Sequence, residues 1–347
     1  MQVFTMLPMN DWNQTGSAAR AAETAGFDAL MTVEAKHDPF LPLAVAALAT
    51  KRIALTTSVA VAFPRSPAVT AMQAWDLHAN STGRFVLGLG SQVKGHNERR
   101  FGVHWSPPAP RLRDYVRALR AIWRCWQTGE ELRYDGEYYR LTLMTPDFSP
   151  EPTGLPMVPV TIAAVGPAML RVAGEVADGV RLHPICSRRY LEEVCIPRLV
   201  EGMRRSGRKR EHFNVHGGGF VATGPDAASV AKAMDWVRFR IAFYGSTRTY
   251  MPILELHGLQ DLGMKLHDLS VQGRWKEMAA LVSDDVVRIF AACGTYDEIV
   301  PAIETRFGGA ADAIELNFAP ATAPGLMREL VADIRRIPHA FQGFATI

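Results

Sequence analysis

Glu34, His37 and Asp38 fall within one short segment, "EAKHDPF" at 34–40, directly after an apolar run. A carboxylate and an imidazole this close can exchange protons; in the plainer reading, His37 and Asp38 cap the helix that follows. Four other segments carry comparable residue types. "SVAVAFPRSP" (58–67) starts as a small, β-branched strand at Ser58 and Val59. It then breaks into a turn with Arg65 between two prolines. "GLGSQVKGHNE" (88–98) offers glycines, Gly90 among them, followed by Ser91, Gln92, Asn97 and Glu98. "AAVGP" (163–167) ends a strand and opens a helix with Pro167 at the first helical position. There Gly166 would leave backbone N–H groups open, the arrangement that binds phosphate at a helix N-terminus. "RLHP" places His183 just after another apolar strand. His212 and His216 are four apart, but the first strand has no paired histidines of the kind a metal-dependent barrel hydrolase would show. No metal is expected. A G-x-S-x-G elbow and a P-loop are both missing from the sequence.

These segments follow a regular succession of short apolar strands separated by helical stretches. The strands are "QVFTML", "FDALMTV", "IALTTSVAV", "GRFVLGLG", "MVPVTIAAVG", "GVRLHPI", "FNVHGGGFVAT", "VRIFAACG" and "ADAIELNFAP". Apolar strands alternating with helices imply parallel pairing with helical crossovers. About eight such repeats imply an α/β fold of the (β/α)8 TIM-barrel type, with the site at the C-terminal ends of the strands. An open doubly wound sheet would want a G-x-G-x-x-G turn after the first strand; Met6-Leu7-Pro8-Met9-Asn10 stands there instead. Two segments interrupt the alternation and are expected as insertions into one domain spanning 1–347. Residues 131–156 contain Asp135-Gly136, a hairpin signal, and residues 236–285 are helical and aromatic. The aromatic part, 236–259, reads either as a lid over the site or as packing between helices.

Composition limits the function classes. Of the 347 residues, 48% are apolar and 21% charged, and the formal charge is +3, which gives no electrostatic case for nucleic acid or an acidic membrane surface. The basic run "RRSGRKR" (204–210) sits where a helix should end, where cations offset the helix dipole. Cys125, Cys186, Cys195 and Cys293 have no C-x-x-C spacing, so free thiols are expected. The N-terminus shows no signal-peptide pattern, and no run reaches the ~18 apolar residues of a membrane span. A cytoplasmic protein is the expectation.

Taken in order, "HDPFLPLA", "SVAVAFPRSP", "STGRFVLGLGSQVKGHNERRFG", "DGEYYRL", "IAAVGPAMLRVAGEVADGV" and "RIAFYGSTRTYMPILELHGL" resemble the luciferase-like monooxygenase superfamily. The likeness is greatest to its branch that uses the deazaflavin coenzyme F420. The resemblance implies a bacterial-luciferase-like barrel and a non-prolyl cis peptide at Ser58–Val59, forming a bulge behind the coenzyme's central ring. It implies that Gly90, Ser91, Gln92, Asn97 and Glu98 line the cofactor or substrate side. Ala164, Val165, Gly166 and Pro167 would hold the cofactor phosphate through backbone amides, with His183 near the phosphate or ring edge. His37 would be the acid/base group, because a histidine can exchange a proton with the substrate oxygen as hydride moves. Relatives place an acid and a histidine together as Asp-His or Glu-His-His. This chain reads Glu34-Ala35-Lys36-His37, which leaves part of that role open to Glu34 or Lys36. The implied activity is hydride transfer between the deazaflavin C5 and a small organic substrate. Two alternatives stand beside it: an FMN-dependent monooxygenase fed by a separate reductase, and a barrel that binds a (deaza)flavin without turnover. A homodimer is expected from the family.

Overall fold

The computed structural model describes residues 1–319 and 322–345. Eight parallel strands close into a ring: Gln2–Met6, Ala29–Thr32, Ala54–Thr57, Phe85–Gly90, Val160–Ala164, Gly179–Leu182, Asn214–His216 and Ala313–Glu315. They are called the first to eighth barrel strands below. The first pairs with the second on one side and with the eighth on the other, and the third with the fourth, so no edge is left open. This is the (β/α)8 barrel that the alternation of strands and helices implies.

The pleat sorts the side chains into two populations. Outward stand Val3, Leu30, Leu55, Leu87, Val160, Ile162, Val180, Val215 and Ile314, all buried in the main core against the surrounding helices. Inward, Phe4, Ala29, Met31 and Ala313 form their own apolar cluster in the lumen. Arg181, paired in register with Ala163 and His216, faces the same way. The strands therefore read as nearly continuous apolar runs whose charged residues, Arg181 and Glu315, fall on the inward-facing register positions.

Two strand assignments need correction. "FNVHGGGFVAT" is two strands, because the chain turns at Gly217–Gly219, where Gly219 has φ +121°. Only Asn214–His216 belongs to the barrel. "VRIFAACG" is not a barrel strand. Val287–Phe290 completes the helix Asp284–Phe290, started by Ser283, whose side chain accepts from Val286 N. Ala291–Thr295 then pairs in parallel with Phe220–Gly224 in a separate two-stranded sheet. Of the segment expected as the last strand, only Ala313–Glu315 is strand, and Pro320 lies outside the described residues.

The first interrupting segment holds the hairpin Tyr134–Asp135 with Arg140–Leu141. It is pinned by the Asp114 carboxylate, which accepts from Tyr138 N at 2.6 Å, from Tyr139 N at 3.1 Å and from the Tyr134 hydroxyl. The second is almost wholly helical, with Ala227–Gly245, Met251–Glu255, Gln260–Val271, Trp275–Met278 and Asp284–Phe290. The stretch 188–206 passes through a wide π-type turn at Leu191–Cys195 before Pro197, which has no N–H for a helix ladder. The basic run 204–210 is partly consumed by structure: Arg208 lies 3.7 Å from Asp178, and Arg210 binds the buried Asp312 carboxylate through two nitrogens at 2.9 and 3.0 Å. No helix among the described residues is long and apolar enough to cross a membrane.

Candidate active site

The C-terminal ends of the second to sixth strands bring the candidate segments onto one rim. After the second strand, Glu34 does not face the mouth freely. Its carboxylate accepts from Arg65 Nη1 at 2.7 and 2.9 Å and from Val61 N at 2.7 Å. Arg65 also reaches Asp38 at 3.3 Å, and Asp38 in turn accepts from the N–H groups of Phe40 and Leu41 at the head of helix Leu41–Ala49. The arginine between two prolines thus ties the third strand's exit to the second strand's loop. Asp38 thus holds the head of that helix from two residues before its N-cap, Phe40, whereas His37 is exposed and has no hydrogen-bond partner among the described residues.

After the third strand the Ser58–Val59 peptide is cis. Ser58 N donates to Thr32 O at 2.6 Å, and Val59 O accepts from Glu34 N at 3.3 Å, so the bulge is stitched to the second strand. Its other neighbour is Gly90. A Cβ there would lie 2.6 Å from Val59 Cγ2, which is why this strand must end in glycine. Ser91 and Gln92 follow at the rim, both partly buried, and Gln92 is in the left-handed region at φ +56°. Asn97 is fully buried, and its amide holds that loop by donating to Ser91 O at 2.9 Å and Val93 O at 3.1 Å. Glu98 stands on the exposed side of the same short helix, 3.9 Å from Lys94.

The fifth strand ends at Ala164, and Gly166 is the N-cap of helix Pro167–Val176 with no side chain capping it. The Ala168 and Met169 N–H groups begin the helix and have no intrahelical acceptor, and nothing crowds the position above Gly166. The loop is steadied by the Tyr190 hydroxyl, which donates to Val165 O at 3.1 Å. His183 stands beside it after the sixth strand. Its Nδ1 accepts from Ile185 N at 3.1 Å, and its ring stacks on Tyr250 at 4.6 Å and meets Tyr244 edge-on at 4.4 Å. Burial under these two rings lowers its pKa to about 4, so it is neutral near pH 7. The aromatic segment 236–259 therefore does reach the rim, through Tyr244 and Tyr250.

The sequence profile of the family described as luciferase-like monooxygenase matches residues 2–313. The chain belongs to the luciferase-like monooxygenase family. It is 46% identical over 327 residues to an uncharacterised protein of Mycobacterium tuberculosis, covering 94% of this chain and 96% of that one. It is 29% identical over 293 residues to the 5,10-methylenetetrahydromethanopterin reductase of Archaeoglobus fulgidus, covering 82% and 83%. Among solved structures, the coenzyme F420-dependent tetrahydromethanopterin reductase of Methanopyrus kandleri superposes with a TM-score of 0.75 over 97% of each chain, at 19% identity.

The lumen of this luciferase-like barrel also holds Arg181 and Glu315, which their residue types alone did not single out, and His216, which has no metal-binding partner set among the described residues. Arg181 crosses it from the sixth strand, with Nε 3.3 Å from Thr161 Oγ1, Nη2 3.3 Å from Thr56 Oγ1, and its guanidinium over the Phe4 ring. Burial lowers its pKa to about 9. His216 packs against Phe4, and burial together with the Arg181 charge holds it well below the usual imidazole range. Glu315 ends the eighth strand. The signal was present: "GVRL" and "AIEL" each set one charged residue in an otherwise buried parallel strand, where the inner face is the one position that tolerates it. No group of three or more His, Cys, Asp or Glu with metal-binding geometry occurs among the described residues.

Proposed function

We propose that this chain is a coenzyme F420-dependent oxidoreductase acting on a small organic substrate. When bound, the coenzyme supplies a carbon, C5, that gives or takes hydride. The observation that carries the reading is the uncapped helix N-terminus at Gly166. It stands on the same rim as a bulge at Ser58–Val59 and a glycine shelf at Gly90. The open Ala168 and Met169 N–H groups and the positive end of the helix suit a phosphate. Ala164, Val165, Gly166 and Pro167 form that cradle, with His183 beside it as a neutral, stacked edge. Val59 and Gly90 make a close-packed wall suited to the flat face of a tricyclic ring, bordered by Ser91 and Gln92. Asn97 acts through the loop it holds. His37, exposed and unpartnered on the neighbouring rim, is the group proposed to exchange a proton with the substrate, while Glu34 fixes the loop that carries it through Arg65. The name of the Archaeoglobus relative, a reductase, supports hydride transfer rather than oxygen insertion.

Parallel fluorescence titrations of the purified apo-protein with oxidised F420 and with FMN test the assignment. Binding of F420 at least tenfold tighter than FMN is the expected result. Preference for FMN would overturn it in favour of a two-component, oxygen-using monooxygenase. Tight binding with a silent His37→Ala variant in every substrate assay would point to a carrier.

A further inference from the structure

We propose that Glu315 is a catalytic residue of this site, the carboxyl group that exchanges a proton with a substrate bound over the barrel lumen. The inference rests on the oxidoreductase reading above and refines it: Glu315 hands the proton to the substrate, and His37, exposed on the rim, is the group that restores it from solvent.

Glu315 is the last residue of the eighth strand, at the end of the barrel where the other candidate residues stand. Direction follows from register. Glu315 pairs with Phe4, and Ala313, two residues earlier on the same strand face, belongs with Phe4 to the lumen cluster. The side chain is partly exposed, so it is reachable while lying inside the concave end of the barrel. Oε1 accepts from Asn317 Nδ2 at 2.7 Å, and the other oxygen has no protein donor among the described residues. Asn317 is itself held by Met6 N, which donates to its Oδ1 at 3.0 Å. The carboxyl is therefore oriented through one oxygen and open at the other.

The rest of the rim sharpens the choice. Glu34 and Asp38 are both spent on Arg65, and Asp312, three residues earlier in the chain, is spent on Arg210. Glu315 has no Lys, Arg or His within ion-pair distance among the described residues. The adjoining first strand presents only uncharged Gln2, Phe4 and Met6 to the lumen. The adjoining seventh presents Asn214 and His216, the latter kept neutral by burial, with Arg181 one strand further on. Burial accordingly raises the Glu315 pKa above the ordinary carboxylate value, the direction a group needs to hold a proton for transfer near neutral pH.

The step balances simply. In the reducing direction a substrate C=O or C=N carbon gains hydride from the reduced deazaflavin, and its oxygen or nitrogen gains the Glu315 proton. The substrate is reduced by two electrons, the coenzyme is oxidised, and Glu315 is left as carboxylate. The reverse reaction returns that proton to Glu315.

The test uses the full chain and Glu315→Gln, which keeps the shape and the Asn317 contact. Infrared spectra of the apo-protein recorded across a pH series should show a carboxyl band that Glu315→Gln removes and that oxidised F420 shifts. The variant should bind F420 within about twofold of wild type. With reduced F420 and a panel of ketones, aldehydes and imines, its kcat should fall about 10²–10⁴-fold, as loss of a general acid does, with KM little changed. Glu315→Asp should recover part of the rate. An unchanged infrared spectrum, or kcat within threefold of wild type, overturns the role of Glu315. Failure of the wild-type chain to bind F420 overturns the oxidoreductase reading and this role with it.

Discussion

Arg65 is the residue whose purpose the sequence advertised and the structure explains. An arginine between two prolines is costly to place, because both prolines restrict the chain around it. What it gains is a grip on two carboxylates from another loop, with Glu34 only 9% and Arg65 16% exposed. Arg65→Met would leave the Glu34 carboxylate with the Val61 N–H as its one strong donor. Hydrogen bonds to charged groups contribute about 1.5–3 kcal/mol, and a stability loss of that size is expected in urea denaturation. A loss below about 0.5 kcal/mol, the range of ordinary surface changes, would mean the pair is idle. Glu34 shows why one residue type has two readings. A carboxylate after a barrel strand reads as chemistry until the cation that occupies it is seen, and that cation lies 31 residues away.

At the scale of elements, the proposed phosphate cradle depends on where helix Pro167–Val176 sits, and that depends on two glycines. The helix crosses Ile196–Ser206 so closely that a Cβ on Gly174 would lie 2.2 Å from Leu199 O, and one on Gly202 would lie 2.1 Å from Arg171 O. Both obstacles are backbone, which cannot move aside without parting the helices. Gly202→Ala is therefore expected to cost about 1–3 kcal/mol, the usual penalty of overpacking. It should also weaken F420 binding, although it is remote from the rim and touches no candidate site residue. Thermal unfolding and the fluorescence titration check both effects; a variant with wild-type stability and affinity would sink the claim that this crossing sets the cradle. The second interrupting segment works at the same scale. Its Tyr244 and Tyr250 cover His183 and so set the charge state of a rim residue from a different part of the chain.

For the molecule as a whole, the buried histidines couple stability to pH. His183 and His216 have folded pKa values below the unfolded value of about 6.5, His183 at about 4. Above pH 6.5 both states are neutral and these groups add no dependence. As pH falls below it, the unfolded chain takes up protons that the folded chain refuses, so stability drops between about pH 6.5 and pH 4. Glu315 acts with the opposite sign, since its raised pKa favours the folded state as acid is added. His183→Phe should reduce the stability lost between pH 7 and pH 5 by about 1–2 kcal/mol. Denaturation of wild type and variant at both pH values measures it, and an identical loss would show that His183 protonates freely in the folded protein.

The barrel was legible because a closed parallel sheet needs apolar strands on a helical repeat, and that pattern is local. So were the helix head held by Asp38 and the uncapped Gly166–Pro167 helix start, each governed by two or three neighbouring residues. The expected strand "VRIFAACG" was misread because Val287 and Phe290 are apolar at a spacing that serves a helix face as well as a buried strand; Ser283 capping the helix decides between them. Residue type could not say which rim carboxylate is free and which is spent. That depends on contacts between distant strands: Arg65 on Glu34, and Phe4 beside Glu315. Ionisation and burial are set by everything that converges on the lumen, and only the closed barrel brings it together.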